Sequence, residues 1–337
     1  MRIGILGYGY WGPNLARNFN ALEGCRVVRV CDLREARLAA ASAQNPGVET
    51  TTRPEAVIEA RDVDAVVIAT PIPTHHELAR RALEANKHVL VEKPIAASSA
   101  EARGLCELAA SRGLVLAVDH TFLYSPAVAK IKELVTRGDL GRAYYFDSTR
   151  INLGLFQRDQ NVLWDLAVHD LSILFHVFPE RPTTAQAVGV SHTNTKVENL
   201  AYLTLRYSSG FIAHITSSWV SPVKVRSILI GGSQRMIAYN DLDPVEKVKV
   251  YDSSFAPKTE SDRHESLFEY RLGDIFVPRI SSHEALSVLV ADFARAVGKG
   301  MPPLSGGALG VEVVTVLEAA QRSISSGSMQ VPIGEGG

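Results

Sequence analysis

The sequence predicts two domains: an α/β domain with a parallel sheet, then an α+β domain built on a large, mostly antiparallel, open-faced sheet. Three observations carry this. The chain opens on an apolar strand that runs straight into Gly7-Tyr8-Gly9-Tyr10-Trp11-Gly12. Strand and helix signals then alternate to about residue 122, the pattern of parallel strands joined by right-handed crossovers. Beyond that point runs rich in β-branched and aromatic residues follow one another, with hairpin-type connectors at Ser208-Ser209-Gly210 and Gly231-Gly232-Ser233. The expected division is a dinucleotide domain over 1–122 and a substrate and oligomerisation domain over 123–337, whose C-terminal helices have the option of packing back on the first.

The elements follow in order. The first strand covers 2–6. Gly7 permits the tight turn into a helix at 11–21, Gly9 keeps the backbone open to a pyrophosphate, and Gly12 lets helix and strand pack closely. The free N–H groups and positive end of that helix face the phosphates, so Tyr8, Tyr10 and Trp11 count with the glycines as cofactor candidates. The second strand, 26–31, ends in Asp32, twenty residues after Gly12. An acid there accepts hydrogen bonds from the adenosine ribose and repels a 2′-phosphate, which favours NAD over NADP. Together these are the fingerprint of a Rossmann domain. Leu33 and Arg34 complete the set. Arg34 has two readings, a partner for a 2′-phosphate or a solvated first-turn residue, so NADP stays open.

Further strands at 64–69, 88–92 and 115–118 alternate with helices at 34–43, 54–60, 75–86 and 98–112. Residues 65–69 and 115–118 are continuously apolar, as strands covered on both faces are. A helix at 125–137 ends at Gly138. Strand signals then fall at 142–152, 184–193, 197–208, 211–220, 223–231 and 234–239, interrupted by one apolar helix pattern at 162–177. Residues 252–282 read as a polar loop or arm, helices at 282–298 and 307–326 close the chain, and the tail from Gly334 frays. A sheet with helices on one face must hide the other, which predicts a homodimer or homotetramer through the open face.

Composition narrows the function. With 337 residues, 46% hydrophobic, 21% charged and a net charge of −1, the chain reads as a globular protein without a field for nucleic acid or an anionic membrane. No apolar run approaches the roughly 20 residues of a membrane span. The N-terminus reads as a core strand rather than a signal peptide, so a cytoplasmic location is expected. Cys25, Cys31 and Cys106 form no metal or disulfide pattern and read as small packed hydrophobes. No metal is expected.

Three segments carry candidate chemistry. Thr70, Pro71 and His75 follow the 64–69 strand, at the carboxyl end where open α/β sheets bind ligands; His75 reads either as a site residue or as a helix-start surface residue. Glu92, Lys93 and Pro94 end the next strand, and Glu92 and Lys93 count as cofactor candidates there. A lysine delivered into a cleft by a buried strand suits proton transfer or polarising a substrate oxygen; the alternative is an exposed lysine paired with Glu92. In Trp164-Asp165-Leu-Ala-Val-His169, Asp165 and His169 share one helix face, so the carboxylate can orient the imidazole. Trp164 either stacks on a ligand or packs in the core. His120, Phe122 and Tyr124, at the end of the last Rossmann strand, are substrate candidates by position, and Arg150 and Asn152 by the anionic or hydroxyl groups of a substrate that their side chains can meet.

GYGYWG, TPIPTHHELARRAL, KHVLVEKP and DLAVH, in this order, resemble the Gfo/Idh/MocA oxidoreductases, a family of sugar and inositol dehydrogenases. The resemblance covers nearly the whole chain. It implies hydride transfer between a nicotinamide cofactor, NAD or NADP, and a carbinol or keto carbon of a sugar-like substrate. Carried over by position, His169 is the acid/base on the substrate hydroxyl, Lys93 hydrogen-bonds the same oxygen, and Asp165 orients these groups and binds a substrate hydroxyl. Many members have a glycine-rich stretch before DxxxH; here it is Arg158-Asp-Gln-Asn161-Val-Leu-Trp164, which leaves that loop's contacts open. The stretches INLGLFQRDQNVLWDLAVHDLSIL and LIGGSQRMIAYNDLDPVEKVKVYD resemble members from polysaccharide and nucleotide-sugar pathways, and point to a nucleotide-activated or amino sugar reacting at a ring carbon such as C3. The same residues serve an NADPH-dependent ketoreductase of a deoxysugar pathway. A non-catalytic dinucleotide-binding regulator is the third reading, and the set Lys93, Asp165 and His169 counts against it.

Overall fold

The computed structural model describes all residues except 155, 158, 159, 258–267 and 335–337. Arg158 and Asp159, the middle of the expected arm and the last residues of the tail therefore lie outside the described residues. The chain forms two compact units. The first comprises Met1–Ser125 and His283–Thr315, the second the described residues of Pro126–Ser282 and Val316–Gly337.

In the first unit, β1 (Arg2–Leu6), β2 (Arg26–Cys31), β3 (Glu49–Thr51), β4 (Ala65–Ile68), β5 (His88–Glu92) and β6 (Leu116–Asp119) lie in the order β3-β2-β1-β4-β5-β6. Every neighbouring pair is parallel. The order reverses between β1 and β4, the switch point at which such sheets bind ligands outside the strand ends. Helices α1 (Gly12–Ala21), α2 (Glu35–Gln44), α3 (Glu55–Ile58), α4 (His75–Glu84) and α5 (Ser99–Ser111) alternate with the strands. α5 starts where Ser98 Oγ accepts from Glu101 N at 3.2 Å, the capping device of a serine three residues before a glutamate.

Ile3, Ile5, Val67 and Leu90 are buried in a core shared with Leu15 and Phe19 of α1. α8 (Ala285–Lys299) completes this core through Leu286, Leu289 and Phe293, with Phe293 edge-on to Phe19 at 6.2 Å. The edge strand β6 is covered, since Val118 N donates to Ser305 O at 2.9 Å and Ser305 Oγ to Val118 O at 2.7 Å. β3 was not expected from the sequence; Glu-Thr-Thr carries no apolar signal because it is a short sheet edge. Cys31 is buried, and Cys25 and Cys106 are partly so.

In the second unit, α6 (Pro126–Thr136), β7 (Ala143–Leu153), α7 (Val168–Val177), β8 (Thr184–Val190), β9 (Leu200–Arg206), β10 (Ile212–Ser218), β11 (Val220–Gly232), β12 (Met236–Asn240) and β13 (Val248–Tyr251) follow in sequence. With β16 (Ile275–Phe276) and β17 (Val331–Pro332) the strands form one sheet, β16-β13-β12-β11-β7-β10-β9-β8-β17. Most pairs are antiparallel, as expected, but β10 runs parallel to β7, with Ile212 opposite Tyr145. The run of strands is thus not a simple antiparallel succession. The long connection through α7 and the β8–β9–β10 meander returns the chain beside β7 in the same direction. The expected loop at 252–282 also holds strands: β14 (Ser254–Pro257) pairs with β15 (Phe268–Arg271), and β16 pairs with β13. Their polar composition reflects edge positions.

Along β8, β9 and β10 one face is core, with Ala187, Leu203 and Ala213 fully buried. The other face presents Val188, Tyr202 and Ile212, 46%, 43% and 38% exposed. Among the described residues no helix is long and apolar enough to cross a membrane.

Candidate active site

A candidate nucleotide site is built in the first unit. Gly7 has φ +91°, and a Cβ there would lie 2.4 Å from Ala69 O; a Cβ on Gly12 would lie 2.5 Å from Gly7 O. Both positions require glycine, for conformation at the first and for close packing at the second. α1 begins with Pro13 in its first turn and no side-chain cap, so its N–H groups are left for an anion. Asp32 is buried at the end of β2. Its Oδ2 accepts from Tyr8 N at 2.8 Å and its Oδ1 from Arg34 N at 2.9 Å. Gly7, Gly9, Asp32, Leu33, Thr70 and Pro71 line a cleft of about 450 Å³.

This cleft fits a dinucleotide, given the open helix end, the glycine cradle and the fixed carboxylate. Arg37, which the sequence reading missed, lines it too. Arg37 Nη1 and Arg34 Nε each lie 3.8 Å from Asp32, and a Cβ on Gly9 would come 2.7 Å from Arg37 Nη1. Gly9 therefore makes room for a guanidinium as well as for phosphate. Its signal was the spacing of Arg34 and Arg37, one helical turn apart. Asp32 repels a 2′-phosphate while two guanidiniums attract it, so this corner does not exclude NADP.

Other expected cofactor residues are placed differently. The Tyr8 ring is buried, its hydroxyl donating to Gln44 Oε1 and accepting from Asn45 Nδ2, both at 2.9 Å; only its backbone serves the cleft. Tyr10 and Trp11 are exposed and stand edge-on to each other at 5.2 Å. Thr70 Oγ1 lies 2.7 Å from Thr74 Oγ1, which donates to Pro71 O. His75 is neither a surface residue nor a lining residue. It is buried, with Nδ1 2.8 Å from Pro94 O and Nε2 2.8 Å from Thr70 O.

Glu92 is buried opposite Asp119 in the β5–β6 register. Burial and then the Asp119 charge push its carboxyl well above the usual range, and burial raises Asp119 as well. Two carboxylates side by side in a buried place disfavour each other's charge. The Glu92 carboxyl thus faces Asp119. Lys93 follows it, partly buried.

Of the substrate candidates after β6, His120 is fully buried with neither ring nitrogen hydrogen-bonded among the described residues. Burial, and next the Lys93 charge, lower its pKa to about 3. Phe122 is half-buried in a short 3-10 turn. Tyr124 is not available to a substrate, because its hydroxyl donates to Asp292 Oδ2 at 2.9 Å and accepts from Ser305 N at 3.1 Å.

Asp165 and His169 lie in the second unit. Asn161 Oδ1 accepts from Leu163 N at 3.0 Å and starts a π turn at Leu163–Ala167, which leads into α7. The expected helix at 162–177 is thus two pieces, and Asp165 sits on the wide turn, a local geometry frequent at functional sites. His169 is one turn on, in the first turn of α7, and both side chains are partly exposed. Asp165 Oδ2 accepts from the indole Nε1 of Trp219 at 3.0 Å. Trp219 is buried just past β10 and fills the place a side chain on Gly154 would need, 2.4 Å from its Cδ1. Nothing in the sequence marked Trp219 beyond its position at a strand end.

Trp164 is buried, which makes it a packing residue rather than a platform. Arg150 is not free for substrate either. It is fully enclosed, and its Nε and Nη2 donate to the two Asp170 oxygens at 2.9 Å each. Asn152 is half-buried near the end of β7.

The chain is similar to known proteins over most of its length. Residues 1–120 match the oxidoreductase family with an NAD-binding Rossmann fold, and residues 128–238 match the GFO/IDH/MocA C-terminal domain. UDP-N-acetylglucosamine 3-dehydrogenase of Acidithiobacillus ferrooxidans is 26% identical over 318 residues, covering 93% of this chain and 94% of that protein. A solved structure of that enzyme superposes with a TM-score of 0.78 at 25% identity, over 96% of this chain and 97% of the other. A dTDP-3,4-didehydro-2,6-dideoxy-alpha-D-glucose 3-reductase of Streptomyces violaceoruber is 41% identical over 108 residues, 32% of each chain. Levoglucosan dehydrogenase, solved with NADH and levoglucosan, shares the fold with a TM-score of 0.84 at 19% identity, over 99% and 100% of the two chains. The chain belongs to the Gfo/Idh/MocA oxidoreductase family, whose members of this kind are NAD(P)-dependent enzymes acting on a hydroxyl of a sugar or polyol.

Proposed function

We propose that this protein transfers a hydride between a nicotinamide cofactor and a ring carbon, such as C3, of a nucleotide-activated amino sugar. The observation that carries this reading is the near-full-length similarity to a UDP-N-acetylglucosamine 3-dehydrogenase. In this reading the Rossmann unit binds NAD, and the sheet unit binds the sugar and a second copy of the chain. The nicotinamide accepts or supplies the hydride when bound.

The chain's own residues do the rest. The Gly7–Gly12 turn and the α1 end receive the diphosphate, and Asp32 the ribose. As the hydride leaves the carbinol carbon, the hydroxyl proton must leave too, and His169 takes it; in the reverse direction His169 returns it to the keto oxygen. Lys93 donates a hydrogen bond to the same oxygen. Asp165, fixed by Trp219, orients the reacting groups and accepts from a neighbouring sugar hydroxyl.

A second reading is an NADPH-dependent ketoreductase of a deoxysugar pathway. Arg34 and Arg37 beside Asp32 favour it, as does the local match to the dTDP-sugar reductase. The test is turnover of UDP-N-acetylglucosamine with NAD+, followed by the absorbance of reduced nicotinamide. Lys93→Ala and His169→Ala are each expected to lower kcat by about 10²–10⁴-fold. A variant that keeps wild-type turnover removes that residue from the mechanism. Reaction of a keto-deoxysugar nucleotide with NADPH alone supports the second reading.

A further inference from the structure

His75 is the first residue of α4, yet it is 1% exposed. Its two nitrogens reach carbonyls that belong to different strand ends. Nε2 meets Thr70 O, in the loop after β4 that lines the nucleotide cleft, and Nδ1 meets Pro94 O, in the turn after β5 that carries Lys93. Thr70 and Pro94 are 24 residues apart in the chain, and the ring of His75 joins their backbones directly. Carbonyl oxygens only accept. A neutral ring therefore makes one of these contacts a hydrogen bond at a time, and a charged ring makes both. Burial disfavours the charged ring, as does the nearby Lys93, and so does the positive end of the helix it starts. Either way, the buried ring lies between the two loops, 2.8 Å from a carbonyl of each. The loop after β4 is already stiffened by the Thr70–Thr74–Pro71 hydrogen bonds.

We propose that His75 is a positioning residue that couples nucleotide occupancy of the β4 loop to the placement of the Lys93–Pro94 turn. This rests on the dinucleotide reading of the cleft and deepens it. Binding a nucleotide fixes Thr70 and Pro71. Through His75, that fixes Pro94 and so the direction in which Lys93 leaves its strand. His75 touches no cofactor in this account; it acts through the two backbone carbonyls.

Amide hydrogen exchange on the whole protein, with and without NADH or NADPH, tests this. In the wild type the nucleotide is expected to slow exchange at 7–12 and 70–74, and together with them at 92–98. In His75→Ala the slowing at 7–12 and 70–74 should persist while that at 92–98 falls by about two- to tenfold, the scale of one lost hydrogen bond. His75→Gln, which keeps one donor, should fall between the two, and it serves as the variant if the alanine form does not fold. A merely structural defect would weaken protection in all three segments alike. Unchanged slowing at 92–98 in both variants, or uniform loss everywhere, overturns the coupling and leaves the cofactor reading intact. No slowing at 7–12 with either nucleotide overturns the cofactor reading and the coupling with it.

Discussion

At Arg150 the guanidinium and the Asp170 carboxylate meet through two parallel hydrogen bonds, with neither side chain open to solvent. Removing one partner of such a pair leaves a buried charge without its counter-ion. Asp170→Asn is therefore expected to cost about 3–5 kcal/mol of stability, read as a lower urea midpoint. A loss under about 1 kcal/mol, the scale of a surface pair, would mean that the pair is not enclosed in solution. His120 gives a pH signature. Its folded pKa of about 3 lies below the ordinary 6.5, so between those values the unfolded chain binds up to one proton that the folded chain does not. Stability should then fall as pH drops from 6.5 toward 3, by up to about 1.4 kcal/mol per pH unit. It should gain nothing from this group above 6.5. His120→Gln should flatten that slope, and an unchanged slope would place the ring in water. Position in the chain suggested substrate roles for Tyr124 and His120, and polar character one for Arg150. What decided their environment was a partner or burial by residues far along the chain, which spacing does not reveal.

Elements were more legible than side chains. The Gly7–Gly12 turn, Asp32 at a strand end and the alternation to residue 122 each reflect local constraints, and the parallel sheet followed from them. The cleft residues Gly7, Asp32, Thr70 and Pro71 come together because carboxyl ends of parallel strands converge by topology alone. Other features depend on non-local pairing. β7 and β10 run parallel because of where a meander returns, and β3, β14 and β15 are short edges with no hydrophobic period. The π turn at Leu163–Ala167 was hidden inside an ordinary helical pattern. Trp219, which fixes Asp165 from just past β10, had no sequence signature beyond its strand-end position. Arg37 was the one missed residue with a readable cue, its spacing from Arg34.

At the scale of the whole molecule, the outward face of β8, β9 and β10 carries Val188, Val190, Tyr202 and Ile212, a concentration of exposed apolar side chains beside a stacked Tyr202–His214 pair. Such a face is expected to be covered by a second copy of the chain. Val188→Lys with Tyr202→Glu should therefore lower the mass seen by light scattering to that of one chain. An unchanged mass would place the contact elsewhere, or show that none forms.

Hydride transfer from a sugar carbon to a nicotinamide is the reaction proposed for this protein. The most direct measurement uses UDP-N-acetylglucosamine deuterated at C3, mixed with the enzyme and NAD+, with mass spectrometry of the cofactor afterwards. One deuterium in the reduced nicotinamide and a keto sugar as the other product are expected. Deuterium left wholly on the sugar, with no reduced cofactor formed, would contradict it.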